Sequence, residues 1–166
     1  MITTRLAATA DIPACADLHV ESCLDIYRPY VSAEAHATTL PGNLRAIWAD
    51  ERLIGGDFIN MAYDGDELLG IATVREKPIA YIDHFHVRPV QKSQGVGRIL
   101  MRATAAELIR RGKTECYLDV ADGNDAALAF YQAMGGQLGE MITGDLFGHP
   151  LPARIIRWPD ITAINV

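Results

Sequence analysis

The chain has 166 residues, 49% of them hydrophobic and 22% charged, with 14 Gly and 8 Pro. Such a length and balance predict one folded domain spanning residues 1–166 and exclude the disordered, collagen-like and disulfide-scaffold classes. The net charge of −6 argues against a general nucleic-acid binder, which needs clustered Lys and Arg. No apolar run reaches the ~20 residues of a membrane span, and the start MITTRLAATADIP lacks the basic-then-apolar pattern of a signal peptide. Cys15, Cys23 and Cys116 are an odd set without CxxC spacing, which predicts neither a disulfide framework nor a zinc site and fits a reducing cytoplasm.

Residues 2–7 (ITTRLA) predict a first strand. Asp11 stands where an N-cap belongs, and Ala16, Val20, Cys23 and Tyr27 recur at helical spacing until Pro29 ends the pattern. Between Tyr30 and Glu51 the expectation is helix, loop, helix, broken at Pro41-Gly42 and resumed from Asn43 to Trp48. Phe58 to Tyr63 and Glu67 to Val74 read as strands joined by Asp64-Gly65-Asp66, and Ile79 to Val87 as a third strand of a meander. Val96 to Arg111 has apolar residues on two sides and Gly112 as its stop, so a well-buried helix is expected. Glu115 to Val120 completes a strand, helix, strand unit with parallel strands. Asn124 caps a last helix ending at Gly135-Gly136, and strands follow at Gln137–Thr143 and Arg154–Trp158. The fold class is α+β, a mixed central sheet of about six to seven strands flanked by helices.

Residues 88–113 carry Arg88, Lys92, Arg98, Arg102, Arg110, Arg111 and Lys113 against Glu107 alone, a net of +6 that leaves −12 elsewhere. This asymmetry is read as a local anion site, with a solvated Arg-rich helix face as the plainer alternative. Within it, FHVRPVQKSQGVGRIL puts two glycines between a strand and a helix, where backbone N–H groups converge on phosphate at a helix N-terminus. Spacing excludes a P-loop, because Gly97 is followed by Arg98-Ile99 rather than Lys-Ser/Thr. It also excludes a dinucleotide fingerprint, whose third glycine would stand at Leu100.

These residues resemble the GNAT superfamily of N-acyltransferases, whose signature Gln/Arg-x-x-Gly-x-Gly/Ala follows a strand ending in a Val-x-Pro-like turn. Val87-Arg88-Pro89 supplies the turn, Gly95 and Gly97 the glycines, and Lys92 the Gln/Arg place. A second signature is carried by Asn124, Ala127, Phe130, Tyr131 and Gly135-Gly136. The resemblance spans essentially the whole chain and is strongest from Ile79 to Gly136. It implies the GNAT fold, acetyl-CoA as cosubstrate and a primary amine of a small molecule, peptide or protein as acceptor. It leaves a homodimer open, and neither nucleic acid, membrane nor metal is expected.

By the same resemblance, the backbone of Phe85, His86 and Val87 pairs with the pantetheine arm as an added strand. The amides of Gln94, Gly95, Val96, Gly97 and Arg98 hold the pyrophosphate, helped by the helix dipole and by Lys92, Arg98 and Arg102. Asn124 corresponds to the family's CoA-contacting Asn, although a plain N-cap explains it nearly as well.

Transfer of an acyl group from thioester to amine needs a base for the ammonium, a donor for the oxyanion and an acid for the thiolate. Tyr131 matches the family's Tyr facing the thiolate, with packing of the last helix as its structural alternative. A backbone N–H between Phe85 and Val87 is the oxyanion donor. Strand alternation puts Tyr81, Asp83, Phe85 and Val87 on one face and Ile82, His84 and His86 on the other. The resemblance makes Asp83 the first candidate base, since related enzymes often draw a base or a water-linked carboxylate from this part of the strand, with His84 and His86 as rivals because imidazole titrates near neutrality. The His-x-His spacing can ligate zinc, but no further His or Cys stands near in sequence. Cys116 reads as core. The resemblance places the acceptor between the first two helices and the last strands, here between Asp25, Tyr27, Tyr30 and Trp48 on one side and Phe147 to Leu151 on the other. A catalytically silent acyl-CoA sensor or scaffold is the alternative from another functional class.

Overall fold

The computed structural model describes residues 1–49 and 55–165. Its strands are β1 (Ile2–Leu6), β2 (Phe58–Asp64), β3 (Glu67–Arg75), β4 (Ala80–Val87), β5 (Cys116–Ala121), β6 (Gln137–Leu146) and β7 (His149–Trp158). They form one sheet of order β1-β2-β3-β4-β5-β7-β6. The helices are α1 (Ile12–Ile26), α2 (Ala33–Ala37), α3 (Leu40–Ala49), α4 (Val96–Arg110) and α5 (Asp125–Ala133). All pairings are antiparallel except β4 with β5, as the strand, helix, strand unit requires.

Helices cover both faces of the sheet, and alternation along the strands explains how. On β2, Ile59 and Met61 pack with Cys15, Leu18 and Trp48 of α1 and α3. Phe58 and Ala62 of β2 point the opposite way, into clusters containing Met101, Leu108, Val96 and Leu100 of α4. The larger cluster also holds Tyr131 and Trp158, and the Trp158 indole N–H donates to the Met134 carbonyl at 3.0 Å. Among the described residues no helix is long and apolar enough to cross a membrane.

Three sequence expectations need correction. Pro41 does not break a helix: it is the second residue of α3, where its missing N–H has no intrahelical acceptor to lose. Asp50 and Glu51, the end of the segment expected to hold that helix, lie outside the described residues. Asp11 precedes α1 but does not cap it, since its carboxylate accepts from the Ala8 N–H at 2.7 Å and from Arg5 at 2.7 Å. β6 and β7 extend well beyond the predicted strands, turning at Phe147-Gly148. Pro150 and Pro152 concealed that extension, yet both fall where β7 has lost β5 as a partner and pairs only with β6.

The most consequential correction lies in β4. Thr73 pairs with His84 and Val74 with Ile82, so Asp83 is an extra residue, a β-bulge. The bulge reverses the inside-outside phase of the strand. Ile82 therefore shares the α4 face with Phe85 and Val87, while His84 and His86 turn toward α1. The expected grouping of Ile82 with His84 and His86 does not occur.

Candidate active site

β4 and β5 pair only at Ala80 with Cys116 and Tyr81 with Tyr117. Beyond Tyr81 the strands part, although β4 runs on to Val87 and β5 to Ala121. The Phe85–Val87 backbone therefore presents an edge on the β5 side that carries no ladder, in the middle of the sheet. An edge of this kind accepts an extended ligand through main-chain hydrogen bonds.

At the end of β4 the chain turns through Ser93 (φ 67°) and Gly95 (φ 83°) into α4. Gly95 occupies the N-cap position and supplies no side-chain cap. The Val96, Gly97 and Arg98 amides lie in a first turn that offers them no intrahelical carbonyl, so they are available to an anion. A left-handed φ favours glycine at 95, and an added Cβ there would meet nothing within 4 Å. Gly97 has a different reason: a Cβ would lie 3.3 Å from the Phe130 ring. Its small size lets α4 approach α5, and close passage of a ligand is not required to explain it.

The basic segment is less free than its sequence implies. Arg88 pairs with Glu21, Lys92 with Asp25 at 2.7 Å, Arg110 and Arg111 with Glu107, and Lys113 with Glu76 at 3.3 Å. Glu21 and Asp25, one turn apart on α1, zip the β4–α4 loop to that helix. Arg98 is exposed and makes no ion pair among the described residues, so it is the cation left beside the α4 N-terminus. The Gln94 side chain donates to the Val90 carbonyl at 3.0 Å, shaping the loop.

Tyr131 lies inside, 6% exposed, its ring set against Phe85, Phe130 and Trp158 at centroid distances of 5.9, 5.2 and 5.9 Å. Its contact with Phe85 places it beside the β4 edge. Burial, and secondarily the Asp119 carboxylate, push its phenol well above the usual range, so it carries its proton at neutral pH. Asn124 is the α5 N-cap, its Oδ1 accepting from the Ala127 N–H at 3.3 Å.

Asp83 is held in an ion pair, its Oδ2 accepting from Arg75 Nε at 2.8 Å, and Arg75 reaches Asp57 at 3.3 Å. His84 Nε2 stands 3.8 Å from the same carboxylate oxygen. On the α1 face His84 and His86 meet His19, with ring centroids 4.4 and 4.7 Å from it. The Trp48 indole N–H donates to His19 Nδ1 at 2.9 Å, and His86 Nδ1 lies 3.1 Å from the Ser22 hydroxyl. Burial lowers the His19 pKa to about 3 and that of His86 well below its usual value, so both rings are neutral at pH 7. Sequence reasoning missed His19. The available signal was its place one turn before Cys23 on the α1 face that also carries Ala16 and Val20.

The expected acceptor region divides. Tyr30 donates to the Asp122 carbonyl at 2.8 Å, tying the chain after α1 to the end of β5, and Tyr27 packs against Tyr30. Leu146, Phe147 and His149 of the β6–β7 turn share a groove with Val31, Ala35 and Leu40. Trp48 does not line this region: it is 4% exposed and belongs to the core.

A sheet splayed at its centre, beside a helix N-terminus with free amides, can hold an extended ligand that ends in an anion. The acetyltransferase (GNAT) family model matches residues 20–136. The chain belongs to that family. The fold is similar to that of PaiA N-acetyltransferase from Thermoplasma acidophilum in complex with coenzyme A, at 18% identity and TM-score 0.71, covering 93% of this chain and 98% of that one. The ribosomal-protein-S18-alanine N-acetyltransferase of Escherichia coli gives 20%, 0.70, 96% and 94% for the same four measures. The yncA protein of Salmonella typhimurium, solved with its cofactor acetyl-CoA, gives 19%, 0.68, 95% and 92%. No curated protein matches the chain by sequence.

Proposed function

We propose that this protein transfers an acetyl group from acetyl-CoA to a primary amine of a small molecule, peptide or protein. The observation that carries this reading is the parting of β4 and β5 directly beside the uncapped N-terminus of α4. The pantetheine amides would pair with the Phe85–Val87 backbone, and the pyrophosphate would take the amides of residues 94–98. The thioester then lies near Tyr131.

A neutral amine attacks the thioester carbonyl carbon. As the C–N bond forms, negative charge collects on the carbonyl oxygen, where a β4 backbone N–H stabilises it. Collapse breaks the C–S bond, and Tyr131 gives its proton to the departing sulfur. The proton lost by the amine goes to the polar face of β4. Of the residues there, Asp83 is held by Arg75 at 2.8 Å. His84, whose Nε2 stands 3.8 Å from that carboxylate, is the acceptor this reading prefers, in place of Asp83.

Release of free CoA thiol from acetyl-CoA, followed across a panel of small amines and peptides with free N-termini, tests the proposal. Amine-dependent release supports it. Tight acetyl-CoA binding with no release for any amine would favour the silent sensor or scaffold instead.

The cations are expected to bind donor rather than catalyse. Changing both Lys92 and Arg98 to Gln should raise the KM for acetyl-CoA by about tenfold, the size of one lost charge-assisted hydrogen bond, with turnover little affected. The difference should shrink as salt is added, because both side chains are exposed. Steady-state kinetics at two ionic strengths measure it, and an unchanged KM at low salt would return these residues to a solvated face.

A further inference from the structure

Beyond the transfer reaction, the α1 face of β4 carries a cluster of which that reaction uses only His84, and an ion held there would take this ring out of proton transfer. The sequence puts His84 and His86 two residues apart on a strand, and the fold adds His19 from α1. One ligand nitrogen from each ring lies within 4.8 Å of those of the other two. Three imidazole nitrogens around a tetrahedral zinc ion, each about 2.0 Å from the metal, lie about 3.3 Å apart. The ligand nitrogens therefore need to close by up to about 1.5 Å. We propose that His19, His84 and His86 form a binding site for a zinc-class divalent ion, with three imidazole ligands and a fourth position open.

The surroundings of the cluster have the form of an outer ligand shell. The Asp83 carboxylate stands 3.8 Å from His84 Nε2, and Arg75 braces Asp83 in turn. The Ser22 hydroxyl lies 3.1 Å from His86 Nδ1. Partners of this kind fix ring orientation, and the carboxylate adds basicity and compensates charge in a buried site. The other ring nitrogen of His86, Nε2, is 4.0 Å from the Cys23 sulfur. Cys23 is outside the three-ring group. It is assigned no ligand role.

One contact opposes occupancy. By accepting from Trp48, His19 Nδ1 leaves the ring proton on Nε2. Ligation through Nε2 moves that proton to Nδ1 and turns the Trp48 N–H away. The site is therefore of moderate affinity. The ligand set of three neutral imidazoles suits zinc, copper or nickel and disfavours magnesium and calcium, which take oxygen ligands.

Isothermal titration of the full chain with zinc chloride, in a buffer that does not chelate and with no acetyl-CoA present, tests the proposal. The expected result is one zinc per chain with Kd of about 1 μM, at least about tenfold weaker in His84→Asn and in His86→Asn. Cobalt(II) in the same site should give the strong visible absorption of a four-coordinate ion without a thiolate charge-transfer band. No zinc binding by the parent chain would overturn the site. So would parental affinity in a folded His84→Asn chain, or a thiolate band. His84 is less buried than His19, which makes it the safer variant, and the parent titration decides the matter even if both variants misfold. The measurement uses neither donor nor acceptor, so its failure and a failure of the transferase reading are separate results.

Discussion

Tyr131→Phe is expected to lower turnover by about 10²-fold at saturating acetyl-CoA while leaving donor affinity nearly unchanged. The ring is packed on three sides by Phe85, Phe130 and Trp158, and all of that apolar contact survives in phenylalanine. Only the hydroxyl is lost, so the variant separates proton transfer from packing. Burial pushes the phenol well above its usual range, so the hydroxyl is protonated at neutral pH and is a hydrogen-bond donor for the departing sulfur. The check is kcat for the best amine found, with acetyl-CoA affinity measured alongside. Turnover within about twofold of the parent would leave Tyr131 as a packing residue only.

The second large effect concerns the amine proton. His84→Gln is expected to reduce kcat/KM for the amine by about 10²-fold, a usual contribution of one general base. Asp83→Asn should cost less, because the Asp83 carboxylate is occupied by Arg75 and acts on the reaction through His84. Initial rates for both variants with one amine provide the comparison. A larger loss in Asp83→Asn than in His84→Gln would reverse the assignment and make the carboxylate the base.

Those roles also show what a single sequence conveys. The meander and α4 were readable because period-two and helical patterns are strong there and turn residues stand at the ends, Asp64-Gly65 and Gly112 among them. The turn from β4 into α4 was readable for the same local reason, two glycines between strand and helix. The bulge at Asp83 was not, since an inserted residue leaves no mark in composition and declares itself only through the pairing of β4 with β3. With its position unknown, alternation misplaced Ile82 relative to His84 and His86. The charge count was incomplete in a related way. A net of +6 over residues 88–113 looked like a free anion site, yet Glu21 and Asp25 of α1 and Glu76 of the chain after β3 fold against it. Pairing across 67 positions, as for Arg88 with Glu21 and Lys92 with Asp25, is invisible to a local charge count. His19 reaches the same strand from the same helix, so the three-ring cluster escaped for the same reason.

The central claim is that the donor lies in the gap between β4 and β5, with its pyrophosphate on the first turn of α4. Amide hydrogen exchange with and without acetyl-CoA tests this most directly. The account predicts that acetyl-CoA slows exchange at the amides of Phe85–Val87 and of residues 94–98, and leaves β1 and the β6–β7 hairpin unchanged. Binding of acetyl-CoA without added protection on either segment would contradict it.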